Sequence, residues 1–308
     1  MSKVRQSKGL TMKIFLTGAN GFIGSQLVSE LINAGHQVLG LSRSDAGARK
    51  LIALGAEVHR GDLKDLHSLR AGAENCDGVI HTAFDHDFTN YVANCEQDRR
   101  VIEALGAALR GSHRPFVITS TTLFGEATLG RTADEDVFNT LHTNPRILSE
   151  IAAQEMIERG MNVSLVRLSQ IHDRTRQGLV TFLVQLALQT GRSAYIDDTI
   201  CQWSAAHLID TAQLFRLAVE KGAAGARFHA TAEEGVPVRE IADAIGKRLG
   251  MPVVALSEKD ASSHFGWLHG FVSKNMTASS AKTQARLGWT PQGPDLLSDI
   301  ANLDFTDA

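Results

Sequence analysis

Apolar residues in this chain gather into short runs, and longer stretches with helical spacing separate them. From Met12 the order is Lys13 to Gly18, an amphipathic stretch over Ser25 to Asn33, Gln37 to Arg43, a helix near Ala46 to Leu54, and Glu57 to Asp62. The rhythm continues through Gly78 to Phe84, a long helix from about Tyr91 to Leu109, Pro115 to Thr121, a helix beginning near Asn144 and Pro145, and Asn162 to Leu168. Such alternation predicts βαβ units, and the six runs together predict an α/β fold built on a doubly wound parallel sheet. After Leu168 the rhythm breaks into helices over 178–191, 208–222 and 239–250, joined by loops rich in Gly, Asp and Ser. This half is expected to form a smaller C-terminal substrate lobe over 169–308, beside a nucleotide domain over 12–168, with segments exchanged between lobe and sheet. Residues 1–11 read as a disordered leader, because Met12 immediately precedes the first strand.

With 43% apolar residues in 308, the chain can bury a large core, and disorder is excluded as its main state. A net charge of -3, with acids and bases interleaved, argues against nucleic acid or an anionic membrane as partner. Cys76, Cys95 and Cys201 are far apart and lack metal-ligand spacing, so neither a metal site nor a disulfide framework is expected. No apolar run approaches the ~20 residues that span a bilayer, and no cleavable signal is evident, so the expected location is cytoplasmic.

The first strand runs directly into Thr17-Gly18-Ala19-Asn20-Gly21-Phe22-Ile23-Gly24, and a helix follows. In that context the first glycine permits a tight turn, the second lets backbone N–H groups approach a pyrophosphate, and the third lets helix and strand pack closely. The helix start favours the anion through its unpaired amides and dipole. A glycine triplet alone would read equally as an ordinary strand-to-helix turn; its placement makes this a dinucleotide-binding Rossmann loop. The second strand ends in Ser42-Arg43-Ser44 with no acid at the place that holds ribose hydroxyls in NAD-specific proteins, and Asp45 comes slightly late. An arginine flanked by serines suits a ribose 2′-phosphate, so NADP is preferred, with NAD as the other option; the plainer reading of Arg43 is a solvated surface residue.

The glycine loop, Gly61-Asp62-Leu63, His81-Thr82-Ala83 and the stretch Ser120 to Gly125 together resemble the extended and atypical short-chain dehydrogenase/reductase superfamily, in its NAD-dependent epimerase/dehydratase-like branch. Trp203, His207 and Asp210 extend the resemblance over nearly the whole chain. The resemblance implies that Asp62 and Leu63 meet the adenine, and that Thr82, Ala83, Phe84 and Thr119 line the cofactor. Asp62 reads equally well as a helix cap. Ser120 falls at the family's catalytic serine, although a buried hydroxyl capping a strand end would explain it as simply.

The family's tyrosine and lysine are missing. Arg146 stands at the tyrosine place and Glu150 at the lysine place, and the chain's two tyrosines, Tyr91 and Tyr195, have Cys95 and Thr199 four residues on. A protonated arginine can stabilise an oxyanion but is not a proton donor. Arg146 and Glu150, four apart, would also make an ordinary surface helical pair.

No basic residue lies between Arg192 and Arg216, which disfavours a nucleotide sugar. Gln170, His172, Trp203, Phe265, Trp267 and Phe271 are the candidate substrate residues and would suit a small, partly apolar molecule, though aromatic residues more commonly pack in cores. His81, His172 and His207 are candidate proton donors, His207 being better explained as support for a loop. The expected function is an NAD(P)-dependent oxidoreductase acting on a small carbonyl or activated alkene, with Ser120 and Arg146 as its catalytic pair. The alternatives are a non-catalytic NADP-binding sensor and an epimerase or dehydratase. A homodimer through the helices of 91–109 and 144–159 is the family expectation.

Overall fold

The computed structural model describes residues 11–197 and 199–304; the leader expected over 1–11 lies outside them except for Thr11. The elements in the order of the chain are β1 (Lys13–Thr17), α1 (Phe22–Asn33), β2 (Gln37–Ser42), α2 (Asp45–Ala53), β3 (Glu57–Arg60), α3 (Leu66–Glu74), β4 (Gly78–His81), α4 (Tyr91–Leu109), β5 (Phe116–Thr121), α5 (Leu148–Glu158) and β6 (Val163–Leu168). After them come β7 (Gln170–His172), α6 (Leu179–Thr190), β8 (Ser193–Ile196), β9 (Gln202–His207), α7 (Leu208–Lys221), β10 (Arg227–Ala230), β11 (Glu233–Pro237) and α8 (Val238–Leu249). The described chain ends with β12 (Val253–Leu256), α9 (Glu258–Phe265), α10 (His269–Val272), α11 (Ala281–Leu287) and α12 (Leu296–Ala301).

A seven-stranded sheet has the order β10-β6-β5-β4-β1-β2-β3. β1 pairs in parallel with both β2 and β4, so the strand order reverses at β1, and the crevice where a doubly wound sheet takes its ligand opens above the β1 and β4 ends. The six apolar runs of the sequence are six of these strands. The seventh, β10, has four residues and follows the helical region, where its short apolar run gives no periodic signal of its own. β1 and β4 are buried almost throughout, as strands covered on both faces must be. No helix among the described residues is long and apolar enough to cross a membrane.

By its internal contacts the chain divides into two compact units. One comprises 1–118, 148–164 and 215–225; the other comprises 119–147, 165–214 and 226–308. In the first, the strand residues Ile14, Phe15, Leu16, Val79, Ile80 and Val117 and the helix residues Leu27, Leu31, Ile102 and Leu105 are all buried. The second has its own apolar core, in which Val184, Ile196, Trp203, Ile241, Phe265 and Leu296 are buried together.

The second unit also buries ionisable groups. His172 is fully buried, with Nδ1 2.7 Å from Asp299 Oδ2, and its Nε2 finds no hydrogen-bond partner, lying 3.8 Å from Glu233 Oε2. Burial pushes the His172 pKa below the usual imidazole value of 6.5, although the Asp299 carboxylate opposes this. Burial pushes the Glu233 carboxyl up, as do the charges of Asp295 and Asp299, while the backbone N–H of Leu296 opposes the rise. An imidazole with a lowered folded pKa leaves the folded state short of a proton that the unfolded chain takes up, so stability falls as pH drops through about 6.5. Glu233 acts in the opposite sense, its raised pKa adding stability as pH falls through that value. In thermal melts of the His172→Gln variant, which keeps an N–H for Asp299, the decline of Tm below about pH 6.5 should flatten relative to wild type; an unchanged slope would refute the assignment.

Candidate functional site

The glycine loop and the candidate cofactor residues from Gly18 to Phe84 lie within the first unit, and Thr119 belongs to the second. Gly18 ends β1 with φ +72°, and a Cβ there would lie 2.6 Å from the backbone N of Ala83. The Gly21 N–H donates to the Gly18 carbonyl at 2.8 Å, and a Cβ on Gly24 would collide with that same carbonyl. Gly18 and Gly24 therefore make the tight turn and the close helix–strand packing that the spacing requires, and Gly21 closes the turn. Helix α1 starts at Phe22 with Gly21 as its extended N-cap and no side chain capping it, which leaves the first-turn amides, among them those of Phe22 and Ile23, for an anion. The Thr82 hydroxyl donates to the Thr17 carbonyl at 2.8 Å and fixes the segment with Ala83 and Phe84 beside the loop. The Phe84 ring meets His86 and Tyr91 edge-on. A cradle that added Cβ atoms would fill, next to an uncapped helix start, fits the pyrophosphate of a dinucleotide.

At the end of β2, Arg43 is exposed and holds no ion pair among the described residues, whereas Ser42 is buried and donates its hydroxyl to the Ser44 carbonyl at 3.1 Å. Ser44 is the N-cap of α2, its hydroxyl accepting from Gly47 N–H at 3.1 Å. The two serines thus shape the turn that presents Arg43. Asn20 lies against this turn: a Cβ on Gly47 would fall 2.9 Å from Asn20 Nδ2, and Asn20 Oδ1 is buried without a partner. The cap of α3 is Asp65, which accepts from Ser68 N–H at 3.0 Å, so the cap reading of Asp62 is corrected. Asp62 instead accepts the Lys64 N–H at 2.9 Å, and Leu63 offers its carbonyl to Gln97 Nε2 at 3.0 Å.

Beneath the cradle runs a buried polar chain that the sequence reading missed. Thr17 Oγ1 is 2.6 Å from His81 Nδ1, His81 Nε2 is 3.0 Å from Asp98 Oδ1, and Ser149 Oγ donates to Asp98 Oδ2 at 2.7 Å. In the tautomer with the proton on Nε2, each donor in this chain meets an acceptor. The signal for it was present: Asp98 falls on the same stripe of α4 as Cys95, Ile102 and Leu105, an acid on a buried apolar face. His81 is thus committed at both nitrogens.

The candidate catalytic pair belongs to the second unit. Ser120 is buried near the end of β5, and Arg146, half-buried in the short turn before α5, donates from Nη2 to the carbonyl of its neighbour Thr119 at 3.3 Å. The backbone of Arg146 is held in turn by Asn144 Oδ1, which accepts its N–H at 2.9 Å. Glu150 is fully buried, so it is not part of an exposed helical face as the plainer reading had it. The segment after Ser120 is pinned by Arg167, whose buried guanidinium donates to the carbonyls of Val137 at 2.8 Å, Asp134 at 3.4 Å and Phe124 at 3.4 Å.

Most of the candidate substrate residues serve the second unit's own packing. Gln170 accepts the Leu179 N–H at 2.9 Å and so holds the start of α6, where Gly178 turns with φ +58°. His172 is bound to Asp299, and Trp203 and Phe265 are buried in the core. Trp267 is half exposed, with its ring edge-on to Phe182 and Phe271. His207 Nδ1 accepts the Ile209 N–H at 3.2 Å, in the first turn of α7.

Comparison with known proteins agrees with this geometry. The chain is 45% identical over 294 residues to an uncharacterised protein of Schizosaccharomyces pombe, covering 94% of this chain and 99% of that one. It is 26% identical over 317 residues to a UDP-glucose 4-epimerase of Streptomyces lividans, covering 92% and 93%. Its fold is like that of the Thermus thermophilus UDP-glucose 4-epimerase solved in complex with NAD, with a TM-score of 0.73 at 20% identity over 94% of this chain and 97% of that one. The family model of the NAD dependent epimerase/dehydratase family matches residues 14–230, and the chain belongs to that family.

Proposed function

We propose that this chain is an NADP-dependent oxidoreductase that acts on a small, partly apolar carbonyl or activated alkene. The observation that carries the reading is Arg146, whose guanidinium reaches the carbonyl of Thr119, next to Ser120. Relatives of the chain include a sterol-4-alpha-carboxylate 3-dehydrogenase and a 2-alkyl-3-oxoalkanoate reductase beside UDP-glucose 4-epimerases, so oxidoreduction is among the activities of its relatives. The dinucleotide, when bound, supplies or accepts a hydride. The chain's part is then electrostatic. Ser120 donates a hydrogen bond to the substrate oxygen, and the permanent charge of Arg146 stabilises the negative charge that grows there. With no phenol at the family's tyrosine place, neither residue of the pair is an acid in the ordinary pH range.

Arg43 is read as the ligand of a ribose 2′-phosphate, at the end of a turn whose serines hold it outward. Calorimetric titration should give tighter binding of NADPH than of NADH, and Arg43→Ala should weaken NADPH by about 1 to 3 kcal/mol. If no dinucleotide binds, the cofactor reading falls.

In a panel of small ketones, aldehydes and enones, NADPH oxidation should be measurable. Ser120→Ala and Arg146→Met should each lower kcat by about 100-fold or more with little change in NADPH affinity. Tight NADPH binding with no turnover on any of the panel would favour the alternative, a regulatory protein that binds NADP without catalysis.

A groove of about 880 Å³ runs between α4 and α5 in the first unit, lined by Gly106, Ala107, Arg110, Ala152, Glu155 and Met156. Together with the family expectation of pairing through these helices, it supports a homodimer. Light scattering should give twice the chain mass, and Ala107→Arg, at an exposed position of α4, should halve it; an unchanged mass would argue against this face.

A further inference from the structure

The start of α2 carries a charge arrangement that the Arg43 reading leaves unused. Arg60, the last residue of β3, pairs in register with Ser42, and its Nη2 lies 2.7 Å from Oδ1 of Asp45, the first residue of α2. Asp45 follows directly on Arg43 and Ser44, so the acid that comes late for a ribose hydroxyl is not a free acid. Lys50 approaches the same corner, with Nζ 3.5 Å from the carbonyl of Asn20. Arg60, Asp45 and Lys50 thus stand about the turn that presents Arg43.

An unpaired Asp45 would repel a 2′-phosphate held by Arg43. Pairing with Arg60 cancels that repulsion. The pair is also open to a ligand: the side chains of Arg60 and Asp45 are 49% and 83% exposed, and an ion pair this open to water contributes little to stability. A guanidinium carries five N–H donors, so Arg60 can keep Asp45 on one edge while a free edge meets the phosphate. We propose that the Asp45–Arg60 pair sets the preference for NADP, Arg60 masking the Asp45 charge and closing on the ribose 2′-phosphate as a second guanidinium beside Arg43. The proposal rests on the NADP reading above.

The test is titration of NADPH, NADH and 2′,5′-ADP into wild type and the variants Arg60→Ala, Asp45→Asn and Arg43→Ala, with thermal melts to confirm folding. Arg60→Ala should weaken NADPH and 2′,5′-ADP about tenfold, since it removes a charge-assisted contact and unmasks Asp45, and should leave NADH within about twofold. Asp45→Asn should tighten NADPH severalfold. Equal effects of Arg60→Ala on NADPH and NADH, or none on either while Arg43→Ala still weakens NADPH, would overturn the role of Arg60 and leave the NADP reading intact. Wild type that binds NADH as tightly as NADPH, with Arg43→Ala silent, would overturn both.

Discussion

The close approach of α1 to β1 depends on Gly24 being a glycine, because the carbonyl of Gly18 occupies the space that any side chain there would need. That contact sets how near the helix start comes to the sheet, and so where its free amides point. Gly18 adds a second constraint, since a side chain would meet the backbone of Ala83 and push the β4 segment away. The cradle is therefore defined by missing atoms on both sides, and the polar chain from Thr17 through His81 and Asp98 to Ser149 keeps the strand ends beneath it in place. A buried chain in which every member is satisfied is rigid, and removing any one member would leave the others buried without partners.

Where the sequence was legible, local geometry had fixed the residue type. The glycine spacing, the bounds of α4 and the six main strands all follow from rules that act within a few residues. What was not legible depended on distant parts of the chain. β10 is a short run with no periodicity of its own. Asp62 and Asp65 are equally good caps on paper, and only the start of α3 decides between them. Trp203 and Phe265 have the composition of a pocket but the burial of a core, and nothing in a single sequence separates the two for aromatic residues. Arg146 was the open case: its spacing from Glu150 fitted an exposed pair on a helix face, yet Glu150 is buried, which a single sequence does not reveal.

A hydride-transfer site usually couples two tasks in one phenol, holding the substrate oxygen and moving its proton. On the proposed reading, arginine in that place separates the two tasks. The oxygen would meet a permanent charge, and the proton would come from elsewhere. The charge of such a site stays constant over the range in which a phenol paired with an ammonium would change state, and it suits substrates whose product anion is already stabilised by conjugation.

The chain order of the two units also has a consequence for synthesis. Met1 to Ile118 form most of the first unit, yet that unit also contains 148–164 and 215–225. A ribosome that has released the glycine loop and the first five strands has not yet made the last helical segment the unit contains. The cradle therefore cannot mature as an independent, early-folding piece while the remainder is still being translated. The unit closes only after Phe215 to Gly225 have been made, nearly a hundred residues beyond Ile118.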